Sequence, residues 1–239
     1  MRTAKGRPYE ARVFIIAWKV CRMENIKRQI CQIGRRLYDL GFAAANDGNL
    51  SARAAEGGVW TTQTAVSKGF MTEDMLVRVD LSGNILEGDR NPSSEIKLHL
   101  EVYSKLPGAK AVIHAHPPLS TAFAVCHRPL DKNYMPEGIV GLGVVPVAEY
   151  ATPSTDAVPR SVRPFLNGEY CAALLANHGV LTWEQSLEAA LFKLQTVEYM
   201  AGIYMNVDRL GGGVELPEDE VRRLKELRGF YTDYAKRGD

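Results

Sequence analysis

The chain lacks the features that mark secreted, membrane-spanning or nucleic-acid-binding proteins. Its four cysteines lie far apart with no CxxC spacing, which predicts reduced thiols and not a disulfide framework or a zinc knuckle. No apolar run approaches the roughly 20 residues of a membrane span. Basic and acidic residues nearly balance, with a net charge of +1, so neither nucleic acid nor an anionic membrane is expected as a partner. Together these absences predict a cytoplasmic globular protein.

The chain also lacks internal repeats and low-complexity segments, and its 239 residues suffice for one well-packed domain. Residues 1–22 are basic around a short apolar piece, Val13–Trp18. Lys19 interrupts that piece and no small-residue cleavage site follows, which disfavours a signal peptide. A periodic helical pattern begins at Met23. We therefore expect residues 1–22 to be an extension outside a single domain that spans residues 23–239.

Helical and strand patterns alternate from Met23 onward, which predicts a layered α/β domain. Ile26, Ile30 and Ile33 recur at helical spacing and Gly41 ends that helix. Further predicted elements are a hairpin of Val77–Leu81 with Asn84–Leu86, a strand at Val144–Val147, a helix at Thr155–Leu166, a long helix from Glu184 to about Arg209, and a charged helix at Glu218–Arg237.

Three histidines follow buried strands. The apolar stretch from Ala111 ends in His114 and His116, and residues two apart on a strand point to the same side. His178 follows a second apolar strand, Cys171–Ala176. Three histidines are the ligands of many catalytic zinc sites, but single histidines are more often structural, so the residues alone leave both interpretations open.

A second polar group precedes the helix that carries Ile96. Ser93 or Ser94 is a natural N-cap, and Glu95 in the first turn suits the helix dipole, so local stability alone explains these residues. A helix N-terminus flanked by two serines is also a ready phosphate site. His99, in the middle of this helix, is expected to be packed or hydrogen-bonded, whereas His127 is expected to be solvated.

Six motifs run along the chain in one order. They are GNLS at 48–51, SKGFMTEDM at 67–75, SSE at 93–95, HAH at 114–116, EYATPST at 149–155 and NHG at 177–179. With this ordered set, the chain from Met23 onward resembles the class II aldolase/adducin-head family. Within that family, the nearest resemblance is to the L-fuculose-1-phosphate aldolase type.

The resemblance implies a fold, a cofactor and a catalytic group. The fold would be three-layer α/β/α, with a central mixed, largely antiparallel sheet flanked by helices, and residues 23–239 would form one catalytic domain. A divalent metal, zinc or another such as Mn²⁺, would be held by His114, His116 and His178. Glu95, the glutamate of the SSE motif, would be the catalytic acid/base.

The resemblance also implies a phosphate pocket and two tyrosines. The phosphate-binding residues would be Asn49, Ser51, Thr62, Thr64, Ala65, Ser93 and Ser94. Ala65 replaces the family's usual glycine in this turn and the usual proline is missing, which strains or reshapes the turn if the glycine needs a positive φ. Tyr134 would be donated across a subunit boundary of a homotetramer. Tyr231, with Tyr234 close by in sequence, would be a C-terminal tyrosine that closes over the site.

The implied activity is cleavage or formation of a ketose 1-phosphate, giving dihydroxyacetone phosphate and a small aldehyde such as lactaldehyde. Related reactions remain alternatives. Pentulose-5-phosphate 4-epimerases usually carry aspartate in place of Glu95, and methylthioribulose-1-phosphate dehydratases carry glutamate near Tyr134. Some relatives are sugar-acid phosphate decarboxylases. Adducin-like binding modules form the non-enzymatic class, and they lack the three histidines.

Overall fold

The structure is a computed structural model that describes the backbone of residues 26–237, with side chains as far as residue 228. The prediction for residues 1–22 therefore lies outside the described residues. Among residues 26–237, no helix is both long enough and apolar enough to cross a membrane.

Within residues 26–237, eight strands form one sheet. The strands are β1 (Asn49–Arg53), β2 (Val59–Thr61), β3 (Val77–Val79), β4 (Ile85–Glu87), β5 (Ala111–Ala115), β6 (Val147–Ala148), β7 (Ala172–Leu175) and β8 (Gly179–Glu184). Their order in the sheet is β4-β3-β2-β1-β5-β8-β7-β6. Every neighbouring pair is antiparallel except β6 and β7, which are parallel. The sheet is thus mixed and largely antiparallel, as predicted.

Helices cover both faces of this sheet. The helices are α1 (Ile26–Asp39), α2 (Ile96–Lys105), α3 (Pro118–Val125), α4 (Pro136–Gly141), α5 (Ala157–Val162), α6 (Leu187–Arg209) and α7 (Glu218–Arg237). Alternate residues of β5 point to opposite faces, because the side-chain period of a strand is two. Ile113 packs with α1, α3 and α6 on one face, and Val112 packs with α2 and α5 on the other. Two hydrophobic cores on either side of one sheet confirm the three-layer arrangement.

Several predicted boundaries were wrong. The predicted strand Val144–Val147 is shifted: the strand is β6, and Val145 forms only an isolated bridge with Leu130. The predicted helix Thr155–Leu166 is shorter, with α5 passing into a 3₁₀ turn at Arg163–Phe165. The long helix starts at Leu187 and not at Glu184, because Ser186 caps it by accepting a hydrogen bond from the Ala189 amide at 3.1 Å.

Candidate active site

Three central strands bring the predicted metal ligands together. β5 lies between β1 and β8, and His114 on β5 pairs directly with Asn49 on β1. His178 lies in the turn between β7 and β8. Gly179 follows it, and a Cβ atom there would lie only 2.5 Å from Cδ2 of His116. The turn therefore needs glycine so that the three imidazoles can approach one another.

The three imidazoles form a compact cluster, which we call the histidine triad (His114, His116 and His178). One ring nitrogen from each residue lies within 4.8 Å of the others. The ring centroids are 4.6–5.0 Å apart, and Nε2 of His114 lies 3.0 Å from Nε2 of His116. This spacing lets a single ion contact all three rings.

Polar contacts at Nδ1 favour one tautomer in two of these rings. Nδ1 of His114 lies 3.0 Å from the Val180 carbonyl oxygen, so Nδ1 donates its hydrogen there and Nε2 keeps its lone pair. Nδ1 of His116 faces a carboxylate oxygen of Asp47 at 3.5 Å, which favours the same tautomer. Burial and the neighbouring imidazoles hold the pKa of His114 well below its usual value, and burial also lowers the pKa of His178. His114 and His178 are therefore neutral near pH 7, the form that binds metals.

The Glu95 carboxylate completes a cluster of hydrogen-bond acceptors. Its Oε2 lies 3.4 Å from Nε2 of His114, and its Oε1 lies 3.5 Å from Nε2 of His178. Oε1 is buried and has no hydrogen-bond partner among the described residues. The lone pairs of the imidazole nitrogens and the Glu95 carboxylate repel one another, because few hydrogens lie between them. A divalent cation bound among them would remove that repulsion. The residues present therefore fit a metal with three nitrogen ligands and open coordination positions.

The predicted phosphate turn lies beside the two serines. Gln63 bridges Pro92, and the Ser93 amide donates to the Thr62 carbonyl at 3.0 Å. Thr64, Ala65 and Ser94 are exposed at this edge, whereas Thr62 and Ser93 are buried. The prediction that Ser93 or Ser94 is the N-cap of α2 was wrong, because Glu95 occupies that position. The Ser93 hydroxyl instead accepts a hydrogen bond from the Glu95 backbone amide at 3.3 Å.

Ala65 adopts the left-handed backbone that its position in the turn requires, with φ +57°. A Cβ atom in this region costs roughly 1–2 kcal/mol, partly offset by the greater unfolded-state entropy of glycine. We expect Ala65→Gly to raise the free energy of unfolding by about 0.5–1 kcal/mol, as measured by urea denaturation. Ala55→Gly, in an exposed turn without positive φ, is the control and should lower stability. Equal losses in both variants would contradict the strain at Ala65.

The other two predicted phosphate residues are buried behind Glu95. Nδ2 of Asn49 donates to Oε2 of Glu95 at 2.9 Å. The Ser51 hydroxyl lies 2.6 Å from Nδ1 of His99 and 2.9 Å from the hydroxyl of Tyr103. The Ser51 hydroxyl is thus engaged with His99 and Tyr103, whereas Thr64 and Ala65 are exposed.

Among the described side-chain contacts, those of Tyr134 are with α6 and not with the histidine triad of the same chain. The ring of Tyr134 packs edge-on against Tyr204, with centroids 5.2 Å apart. Tyr231 is part of α7, and its side chain lies outside the described part of the structure.

Sequence reasoning missed two charged residues that brace the site. Glu198 on α6 accepts the amide hydrogens of Leu119 (2.9 Å) and Ser120 (2.8 Å), so it caps α3 directly after His116. Lys68 is only 2% exposed and donates from Nζ to the carbonyls of Asn46 and Val66. It thereby joins the loop that carries Asp47 to the phosphate turn. In the sequence, Lys68 stands in a stretch of small and polar residues, and this position could have indicated its role.

Lys68 predicts a specific pH dependence of stability. Burial lowers the pKa of Lys68 from 10.5 to about 8, although Asp47 opposes the shift. Between these two pH values the unfolded chain binds more protons than the folded one, so stability rises with pH. Relative to Lys68→Met, we expect the free energy of unfolding of the native protein to increase by up to about 3 kcal/mol across this window. Urea denaturation at several pH values checks this, and a constant difference between the two proteins would contradict it.

Several known proteins are similar to this chain in sequence and in fold. The profile of the Class II Aldolase and Adducin N-terminal domain matches residues 28–205. The 5-methylthioribulose-1-phosphate/5-deoxyribulose-1-phosphate aldolase of Rhodospirillum rubrum is 29% identical over 211 residues, which cover 88% of this chain and 94% of that protein. The 3-oxo-tetronate 4-phosphate decarboxylase of Haemophilus influenzae is 32% identical over 210 residues, covering 85% and 97%. A solved structure of an L-fuculose 1-phosphate aldolase superposes with a TM-score of 0.78 at 33% identity, covering 84% and 94%.

Proposed function

This chain belongs to the class II aldolase and adducin N-terminal domain family, and we propose that it is a metal-dependent aldolase. Its substrate would be a ketose 1-phosphate of the L-fuculose-1-phosphate type, cleaved to dihydroxyacetone phosphate and a small aldehyde such as lactaldehyde. The observation that carries the proposal is the convergence of three histidine nitrogens on the Glu95 carboxylate. A binding module without catalysis has no need for this arrangement.

The histidine triad would hold the metal, which we propose to be zinc, with Mn²⁺ as the other candidate. When bound, such a cation supplies Lewis-acid stabilisation of negative charge on substrate oxygens. The neutral imidazoles leave the cation its full charge. The hydrogen bond from His114 to the Val180 carbonyl orients one ligand, and Asp47 near His116 orients another.

Glu95 would move the proton at the reacting carbon. In the condensation direction, its carboxylate removes a proton from the hydroxyl-bearing carbon next to the carbonyl of dihydroxyacetone phosphate. That carbon then forms a bond to the aldehyde carbon. Cleavage runs in reverse, and Glu95 returns the proton to the same carbon. The carboxylate lies within 3.5 Å of two triad nitrogens, so its proton transfer would take place beside the residues that would hold the cation.

Two further groups would complete the reaction. Thr64, Ala65 and Ser94, all exposed at one edge, would hold the phosphate and orient the three-carbon unit. Tyr134 from a neighbouring subunit would donate its phenolic hydrogen to the aldehyde oxygen during condensation. This role requires assembly, which we propose to be a homotetramer in the cytoplasm.

Decarboxylation is the second candidate, because a decarboxylase is 32% identical over 85% of this chain. The named substrates share one fragment. A 3-oxo-tetronate 4-phosphate that loses its carboxylate leaves dihydroxyacetone phosphate, as does a ketose 1-phosphate that loses an aldehyde. Glu95 and the metal would act on the same three-carbon fragment in both reactions, and only the leaving group would differ.

A panel of partners for dihydroxyacetone phosphate distinguishes the candidates. The metal-loaded protein is incubated with dihydroxyacetone phosphate and lactaldehyde, glycolaldehyde or a methylthio aldehyde, and ketose 1-phosphate is measured. Condensation supports the aldolase, with Glu95→Gln as the inactive control. No condensation together with carbon dioxide release from 3-oxo-tetronate 4-phosphate would favour the decarboxylase. Epimerisation of a pentulose 5-phosphate or dehydration of methylthioribulose 1-phosphate, in place of condensation, would overturn the aldolase proposal.

A further inference from the structure

A row of buried polar side chains runs between α2 and β1, behind Glu95. Glu95, His99 and Tyr103 are spaced by four residues and lie on one side of the helix. Asn49 and Ser51 are two residues apart and lie on one side of the strand. Four residues of a helix advance about 6 Å and two residues of a strand about 6.7 Å. The two periods nearly match, so strand and helix side chains can alternate along the row.

Four short contacts join these side chains in sequence. Nδ2 of Asn49 lies 2.9 Å from Oε2 of Glu95, and Oδ1 of Asn49 lies 2.6 Å from Nε2 of His99. The other ring nitrogen of His99 lies 2.6 Å from the Ser51 hydroxyl, which lies 2.9 Å from the Tyr103 hydroxyl. Asn49, Ser51, His99 and Tyr103 are all buried, so water does not replace these partners.

One acceptor fixes the direction of every hydrogen bond in the row. An ionised carboxylate only accepts, so the Asn49 amide group must face Glu95 and the Asn49 carbonyl must face His99. Nε2 of His99 then carries the hydrogen, and Nδ1 accepts from Ser51. The Ser51 oxygen, having donated its own hydrogen, accepts from Tyr103. Burial lowers the pKa of His99 to about 3, so the ring carries a single hydrogen near pH 7.

Asn49 is the critical member of the row. Among the described residues, it makes the only hydrogen bond to the Glu95 carboxylate. A flipped Asn49 amide would point its oxygen at that carboxylate and repel it. Nε2–H of His99 prevents the flip, because it requires an acceptor in the position of Oδ1.

We propose that His99 is a positioning residue that fixes the Glu95 carboxylate beside the histidine triad by locking the orientation of the Asn49 amide. Ser51 and Tyr103 hold His99 in the required tautomer. This role rests on the proposed function of Glu95 in proton transfer. It also moves Ser51 out of the predicted phosphate pocket, since the Ser51 hydroxyl has no hydrogen left for a phosphate oxygen.

A matched pair of substitutions at His99 tests the proposal. Glutamine offers one amide donor to Asn49 and one carbonyl acceptor to Ser51, whereas leucine offers neither. The readouts are the rate of solvent deuterium incorporation into dihydroxyacetone phosphate, its KM, and the metal content. We expect His99→Leu to lower the exchange kcat by about 10–100-fold, with KM and metal content within about twofold of native. His99→Gln should recover most of that loss.

Three outcomes would overturn the positioning role. They are native exchange in metal-loaded His99→Leu, equal losses in the leucine and glutamine variants, and a loss explained entirely by KM or metal content. If His99→Leu does not fold, Ser51→Ala decides. This substitution removes the hydroxyl that contacts Nδ1 of His99, so the ring can adopt the other tautomer, and kcat should fall about tenfold. A native kcat in Ser51→Ala would overturn the positioning role.

A spectroscopic readout separates this proposal from the proposed function. Nitrogen-15 NMR of the native protein should show His99 neutral, with hydrogen on Nε2 and none on Nδ1, at every pH from 7 down to about 4. The opposite tautomer or a charged ring would overturn the positioning role whatever the activity. If the native protein shows this NMR signature but does not exchange protons on dihydroxyacetone phosphate, the proposed function of Glu95 is overturned and the positioning role is not.

Discussion

Glu95→Gln should lower proton exchange on dihydroxyacetone phosphate by about 10²–10⁴-fold, the usual contribution of a general base. Glutamine keeps the shape of the side chain and an oxygen that can accept from Asn49, but it cannot take up a proton. The histidine triad is unchanged, so metal content should stay at the native level. Solvent deuterium incorporation followed by NMR, with metal analysis of the same samples, measures both effects.

Glu101→Gln is the matched control on the same helix. Glu101 pairs with Arg163 at 2.7 Å and is not part of the acceptor cluster, so its variant should exchange at the native rate. Survival of exchange in Glu95→Gln would show that another residue is the base. Loss of exchange in both variants would indicate damage to α2 and not loss of a catalytic group.

His116→Ala should remove the metal and reduce exchange to the rate of the metal-free protein. His116 is the better choice than His114, because its side chain is 25% exposed whereas that of His114 is fully buried. Two neutral imidazoles hold a divalent cation far less tightly than three. The loss of affinity should exceed the roughly 10–100-fold that removal of an outer partner causes. Elemental analysis after dialysis should find close to one metal per native chain and almost none in the variant.

His127→Ala supplies the control for this experiment. The His127 ring is exposed and contacts Asn177 at 2.6 Å, and it contributes no ligand to the triad. Its variant should keep the native metal content. Equal metal content in native protein and His116→Ala would place the metal elsewhere or show that none binds specifically.

The sequence predicted the approach of the three histidines because His114 and His116 lie at the end of one buried strand and His178 comes shortly after another. His114 and His116 share a face by the period of the strand, and the small residue after His178 allows the close approach of the rings. The layered fold followed from the alternation of helices and strands. Boundaries were less reliable: the apolar segment Gly179–Glu184 is β8, and its pairing with both β5 and β7, which the sequence does not show, makes it a strand.

The network behind Glu95 could not be predicted from the sequence alone. Spacings of four on α2 and two on β1 are visible in the sequence, but their alternation depends on how the helix lies across the sheet. Ser51 illustrates the difference. Its motif indicated phosphate binding, whereas its packing commits the hydroxyl to His99 and Tyr103. Lys68 was missed for the same reason, since both of its acceptors are backbone carbonyls.

The most direct test of the central claim is solvent deuterium exchange into dihydroxyacetone phosphate by the native, metal-loaded protein, without any aldehyde. The account predicts incorporation of one deuterium at the hydroxyl-bearing carbon, and no incorporation after the metal is removed by a chelator. This half-reaction is shared by the aldolase and decarboxylase candidates, so the leaving group does not affect the result. No incorporation with zinc or Mn²⁺ bound to the triad would contradict the account.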